Sequence, residues 1–185
     1  MSWIRIVPES EAEGKLKDIY HRISSSRGKV SNIMRVQSLQ PGAMEAHLDL
    51  YMQLLFKRGG LSRPERELIA VAVSRENGCR YCTLHHEAAL EAWWKDADRV
   101  AAFRKGPGEA SLNERETALV QYAVKLTAEP EKVEQEDVEA LRRAGLSEEE
   151  ILQANLIASY FNFANRIANG LGVDAPPDEV SGYRY

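Results

Sequence analysis

Cys79 and Cys82 are the only thiols in the chain and stand three positions apart, as Cys-Arg-Tyr-Cys. His85 and His86 follow at once, and Glu67 lies twelve positions before the first cysteine. A carboxylate, two thiols and an imidazole within one helix–turn–helix length can serve redox and proton-transfer chemistry. At a helix start this cysteine spacing lets two sulfurs close a disulfide, and the orphan N–H groups there favour a thiolate. Arg80 adds positive charge nearby. His86 follows Cys82 by one helical turn and shares its face. With Glu67 folded back beside it, His86 makes a base able to take a thiol proton directly or through water. A low-pKa cysteine with a partner thiol is what a thiol peroxidase needs. The thiolate attacks the O–O bond and becomes a sulfenic acid, which the second thiol condenses to a disulfide. An outside dithiol then reduces that disulfide.

The same residues admit other chemistries. Two cysteines and a histidine are three zinc ligands, and a closed site would need Glu67 or His85 as the fourth. Dithiol–disulfide exchange is a second use of the pair, although thioredoxin-type motifs sit in a βαβ context that this chain lacks. A third reading is a non-catalytic helical oligomer with incidental thiols.

Helices must position these residues, because no segment alternates at period two. Residues 68–73 are a continuous apolar run, with Glu67 at its start and Gly78 supplying the turn that ends it. Ala88, Ala89, Ala92 and Trp93 carry a helix onward from the cysteines, and Trp93-Trp94 reads as core plus interface. Three helix starts share one grammar: Leu61-Ser62 with Glu65, Leu112-Asn113 with Glu116, and Leu146-Ser147 with Glu150. In each, a capping side chain is followed three residues later by glutamate, the capping-box pattern. Segments 68–73 and 119–124 then fall in register at an offset of 51, as in a degenerate repeat of helix pairs or as two ordinary apolar helices.

Elsewhere, residues 3–7 read as an extended apolar arm. Ser10 with Glu13 suggests a capping box for a helix carrying Leu16, Ile19, Tyr20 and Ile23, with 24–28 as a loop. Ile33, Met34, Val36 and Leu39 suggest a short helix. Pro41 suits the first turn of the next, whose apolar set over 43–56 is broad enough to pack on two sides. His47 within it reads as an ordinary partly buried or surface histidine. Gly59-Gly60 and Gly106-Pro107-Gly108 read as breaks. Residues 133–144 form a polar helix with Val138 and Leu141 inward. Residues 147–169 form a long one with Leu152, Leu156, Ile157, Tyr160, Phe161 and Ile167 inward. From Val173, a non-helical tail with Pro176-Pro177, Tyr183 and Tyr185 suits an oligomer interface. The expectation is a single all-α domain of seven or eight helices over residues 1–185.

Composition narrows the function classes. A 185-residue chain with 44% hydrophobic and 28% charged residues can bury a real core. A net charge of −4 provides no basic footprint for nucleic acid. No apolar run reaches the roughly 18–20 residues that span a bilayer, and the first residues, MSWIRIVPESE, carry no apolar signal core. A cytoplasmic location without nucleic-acid or membrane partners is the expectation.

The pattern of Glu67, eleven residues, Cys79-x-x-Cys82, three residues and His86 resembles the alkyl hydroperoxidase D-like group of the carboxymuconolactone decarboxylase superfamily. Asn32-Ile33-Met34, the ELIAVAVS segment from Glu67, and YFNFANRIANGLGV from Tyr160 resemble its peroxidase-related branch, so the similarity covers most of the chain. The resemblance implies an all-helical fold, a homo-oligomer (commonly a trimer or hexamer) and hydroperoxide reduction without a cofactor or metal. It also implies Cys82 as the attacking thiol, Cys79 as the resolving thiol, Glu67 and His86 as a proton relay, and an outside dithiol as reductant. Decarboxylase or lactone-acting relatives do not require the cysteine pair. Tyr81 stands where characterised peroxidases often place a relay histidine, and tyrosine is no base near neutral pH. His85 is one residue out of helical phase and reads as a surface or supporting residue.

Overall fold

The computed structural model describes residues 2–106 and 108–183, and among them regular structure is helical only. Eight helices have nine or more residues: α1 (Gly14–Arg27), α3 (Pro41–Phe56), α4 (Arg63–Glu76), α5 (Arg80–Trp94), α6 (Ala97–Lys105), α7 (Glu114–Ala128), α8 (Gln135–Arg143) and α9 (Glu148–Gly170). Two four-residue helices, α2 (Asn32–Arg35) and α10 (Pro177–Val180), complete the set. The all-α expectation is met.

Helix α4 is the axis. Every residue from Arg66 to Ser74 is buried, as expected of a helix that is apolar nearly all round. It packs against α5, α7 and α9. Ile69, Ala70 and Val73 join Leu119, Ile157 and Phe161 in one core cluster. Leu68, Val71 and Ala72 face Leu90, Val100 and Phe103 in another. Helices α1 to α3 add a layer around Tyr20, Met34 and Met44.

All three capping boxes form, at Ser62–Glu65, Asn113–Glu116 and Ser147–Glu150. The Ser10–Glu13 box does not. Glu9–Glu11 make a 3-10 turn, Glu13 caps α1 without a side-chain bond, and the backbone at Ala12 and Glu13 is extended. Buried Ala12 belongs to the α1–α3 core, and this holds the chain away from a continuous helix.

Residues 24–27 are helical rather than a loop, and Gly28 ends α1 at φ +92°. The serine hydroxyls turn back onto helix carbonyls, Ser24 to His21 and Ser26 to Arg22. Arg27 is drawn in over Phe56, 4.3 Å from the ring centre.

On α9, Ile157, Tyr160 and Phe161 are buried as expected, but Leu152 and Leu156 are 59% and 43% exposed, and Phe163 joins them. The inward stripe is instead Ile151, Ala154, Ala158, Ala164 and Asn165, and its alanines leave room for α9 to pack on α4. Trp94 packs on Phe103, whereas Trp93 is exposed.

The tail contains α10 and folds onto its own chain, with Ala175 and Val180 against the cysteine region. Tyr185 and Pro107, singled out in the sequence, lie outside the described residues. At the other end Trp3 N–H bonds Leu171 O at 2.9 Å. The Trp3 ring lies over Gly172, where a Cβ would come within 2.3 Å of it, so this position requires glycine.

Candidate redox site

Gly78, at φ +60°, makes the left-handed turn between α4 and α5. Cys79 then occupies the N-cap of α5 and Cys82 its first turn. Both thiols are free and buried. The Cys79 sulfur receives the Cys82 thiol and the backbone N–H groups of Cys82 and Tyr81, and these hold its pKa below the ordinary cysteine range. Donation to Cys79, with burial, pushes Cys82 well up, although the Asn165 side chain acts in the opposite sense. Of the reduced pair, Cys79 is therefore the thiol that ionises first. The low-pKa cysteine is not the one that the resemblance makes the attacker. Access runs the other way. A cavity of about 80 Å³ is lined by Cys82, while Cys79 is fully buried and is not among the lining residues.

His86 lines the same cavity one turn along α5, edge-on to Phe161 at 4.5 Å. Its Nδ1 lies 2.6 Å from Glu67 Oε2. A carboxylate only accepts, so Nδ1 carries the proton and Nε2 is left as the basic nitrogen. The other Glu67 oxygen accepts from Arg63 Nε at 2.7 Å, and Arg63 Nη2 lies 2.5 Å from it as an ion-pair contact. Burial pushes the Glu67 carboxyl up, but the charges and hydrogen bonds of His86 and Arg63 outweigh it and hold it below its usual range. Glu67 thus folds back from α4 to its expected place, as an ionised orienting group.

Tyr81 does not face the sulfurs as a relay. Its hydroxyl donates to Glu179 Oε1 at 2.8 Å and accepts Ile33 N–H at 3.3 Å. His85 is not a surface residue. It lines the cavity, packs on Tyr81 at 4.4 Å and places Nε2 3.5 Å from Glu179 Oε1. Burial lowers its pKa. Glu179 also accepts Asn32 N–H at 2.8 Å and Tyr183 OH at 3.1 Å. Burial raises its carboxyl, but His85, Asn32 and Tyr81 overcome this and bring it to about 2. The tail is thereby latched beside the cysteines.

Sequence reasoning missed Arg63, Asn165, Glu179 and the partners of His47. Arg63 was detectable as an i,i+4 partner of Glu67. Asn162, Asn165 and Asn169 share one face of α9 and reach Asn77 and Ser74 on the α4 end. Their helical spacing was the available signal. Glu179 carried none toward the cysteines, because its partners other than Tyr183 are more than ninety residues away in sequence. His47, buried, bonds Gln37 Oε1 at 3.0 Å and Tyr160 OH at 2.7 Å. Among the described residues no group of three or more His, Cys, Asp and Glu could hold a metal ion.

Residues 41–123, which contain Glu67, both cysteines and His86, match the carboxymuconolactone decarboxylase family. The fold matches the alkylhydroperoxidase AhpD core of an uncharacterized peroxidase-related protein from Ralstonia eutropha JMP134, with TM-score 0.85 and 27% identity over 97% of this chain and 94% of that one. An uncharacterized peroxidase-related protein from Silicibacter sp. TM1040 shares the fold, with TM-score 0.84 and 24% identity over 99% and 96% of the two chains. The uncharacterized protein YdfG of Bacillus subtilis is 25% identical over 134 residues, which is 72% of this chain and 90% of that protein. These likenesses define an all-helical, peroxidase-related class of oxidoreductase-like proteins. Together they support an assignment of the chain to the alkylhydroperoxidase D-like proteins of the carboxymuconolactone decarboxylase superfamily.

Proposed function

We propose that the protein is a thiol-dependent peroxidase that reduces hydrogen peroxide or small organic hydroperoxides through Cys82 and Cys79. The observation that carries this reading is the shared cavity. Cys82 and His86 both line it, with His86 oriented by Glu67, while Cys79 lies behind Cys82.

The pair loses one proton to His86 Nε2. The remaining charge rests on Cys79, and moving the shared proton from Cys82 to Cys79 transfers it to the sulfur at the cavity. Cys82 attacks the terminal oxygen of the hydroperoxide. The S–O bond forms, the O–O bond breaks, and the sulfur gives up two electrons. The departing alkoxide takes the proton from His86 and leaves as an alcohol. Cys79 then attacks the Cys82 sulfenic acid, forming the disulfide and releasing water. An external dithiol restores both thiols.

Dithiol exchange without peroxide chemistry is the second reading, favoured by the hydrogen bonds that lower the pKa of Cys79. It leaves the cavity over Cys82 without a role. The exposed apolar residues Leu152, Leu156 and Phe163 on α9 support a homo-oligomer, whose trimeric or hexameric state we take from the family resemblance, and we place the protein in the cytoplasm. No helix among the described residues is long and apolar enough to cross a membrane.

The test is a reductant-coupled hydroperoxide assay alongside reduction of a model disulfide. Peroxide consumption that depends on Cys82 supports the reading. Fast disulfide reduction with no peroxide consumption selects exchange, and neither activity would leave a helical scaffold.

A further inference from the structure

Four phenols line the cavity that Cys82 and His86 share: Tyr51, Tyr81, Tyr160 and Tyr183. Three have their hydroxyls committed. Tyr81 and Tyr183 both donate to Glu179. Tyr160 is held by His47, and the direction of that bond follows from chemistry. Gln37 Nε2 donates to Ile33 O, so Gln37 presents its carbonyl to His47 and His47 Nδ1 carries the proton. His47 Nε2 is then an acceptor, and Tyr160 donates to it at 2.7 Å.

Tyr51 differs. Its hydroxyl has no hydrogen-bond partner among the described residues, nor is it a sealed, unsatisfied atom, so it opens onto the cavity. Its ring is fixed, edge-on to Phe56 at 5.5 Å and stacked on Tyr160 at 6.0 Å. Burial raises the pKa of this phenol, Arg27 opposes, and the charges of Glu67 and Cys82 reinforce the rise. The phenol keeps its proton at neutral pH and is within the field of the reacting sulfur.

We propose that Tyr51 is a further catalytic residue, whose hydroxyl donates to the leaving oxygen of the hydroperoxide as Cys82 attacks the terminal one. This rests on the peroxidase reading and adds the group that stabilises the departing alkoxide. In the attack, the O–O bond breaks as the S–O bond forms, and negative charge grows on the oxygen bearing the organic group. A fixed donor held beside developing charge in a largely apolar cavity is worth far more than one in water. The proton that finally neutralises the alkoxide comes from His86, so Tyr51 ends the step still protonated.

The test is single-turnover oxidation of the reduced protein by two peroxides of unlike leaving groups, tert-butyl hydroperoxide and peroxyacetic acid. A carboxylate leaves with little need of a donor, whereas an alkoxide needs one. Tyr51→Phe should slow oxidation by tert-butyl hydroperoxide about 10- to 100-fold and oxidation by peroxyacetic acid by a much smaller factor. Thiol alkylation by iodoacetamide should be unchanged. Tyr160→Phe, whose lost hydroxyl served His47, should show no such leaving-group selectivity. Equal rates for Tyr51→Phe and the unsubstituted protein overturn the Tyr51 assignment alone, as does equal slowing with both peroxides and with alkylation. If the unsubstituted protein reacts with neither peroxide, the peroxidase reading falls and this inference falls with it.

Discussion

Glu67 Oε2 and His86 Nδ1 are 2.6 Å apart, nineteen residues apart in sequence and on neighbouring helices α4 and α5. The contact decides which imidazole nitrogen is basic, and it occurs inside a core where Glu67 has no solvent exposure. Glu67→Gln should therefore disturb chemistry and folding together. The amide can donate to Nδ1, which would place the imidazole proton on Nε2 and remove the base. Cys82 oxidation by hydroperoxide should fall about 100-fold. The substitution also leaves the Arg63 charge buried without its carboxylate, which should cost about 3 kcal/mol in urea unfolding. Unchanged oxidation kinetics would show that His86 does not act through this contact.

The division of charge and access between the two sulfurs gives the cysteine substitutions different outcomes. Cys82→Ser should abolish hydroperoxide consumption, because the cavity then meets only a hydroxyl. Cys79→Ser should allow one turnover and then accumulate sulfenic and sulfinic acid at Cys82, visible as mass additions of one and two oxygens. Full turnover by Cys82→Ser would remove it as the attacking thiol.

His47 makes stability depend on pH. Burial lowers its pKa from 6.5 to about 4. The unfolded chain thus binds a proton between these values that the folded one refuses, so stability falls as pH drops from about 6.5 towards 4. The full difference is about 3 kcal/mol. Denaturant unfolding across this range should show the slope, and His47→Gln should flatten it. An unchanged slope in that variant would assign the effect to other groups.

Glu179 latches residues 173–183 beside the redox site. Its carboxyl titrates at about 2 when folded, below the ordinary range near 4.3. The latch contribution is present above about pH 4.3 and disappears as pH falls towards 2. Glu179→Gln removes the charge facing Lys29 and His85 and disturbs acceptance from Asn32 N–H and two phenols. Hydrogen exchange at Val180 and its neighbours should quicken at neutral pH while α4 remains protected. Equal protection of the tail in both proteins would show that the apolar contacts of Ala175 and Val180 suffice.

Local chemistry made the helices and part of the site legible in the one-dimensional pattern. A capping box needs residues only three apart, so Ser62, Asn113 and Ser147 mark real helix starts. Cys82 and His86 lie one turn apart on α5, and the glycine at 78 marks the reversal that returns α5 along α4. These relations act over a few residues, where spacing and geometry are nearly the same thing. The serines at 24–26 misled because a composition typical of loops can satisfy its hydroxyls within a helix. Leu152 and Leu156 misled because hydrophobicity does not say which side of a long helix meets its neighbours. Tertiary structure alone decided that Glu179, ninety-eight positions from Tyr81, claims its hydroxyl. It also set His47 against Tyr160 and left Tyr51 as the cavity phenol without a hydrogen-bond partner among the described residues. Those contacts depend on how α3, α5, α9 and the tail pack around α4, and no local spacing encodes a distance between elements so far apart in the chain.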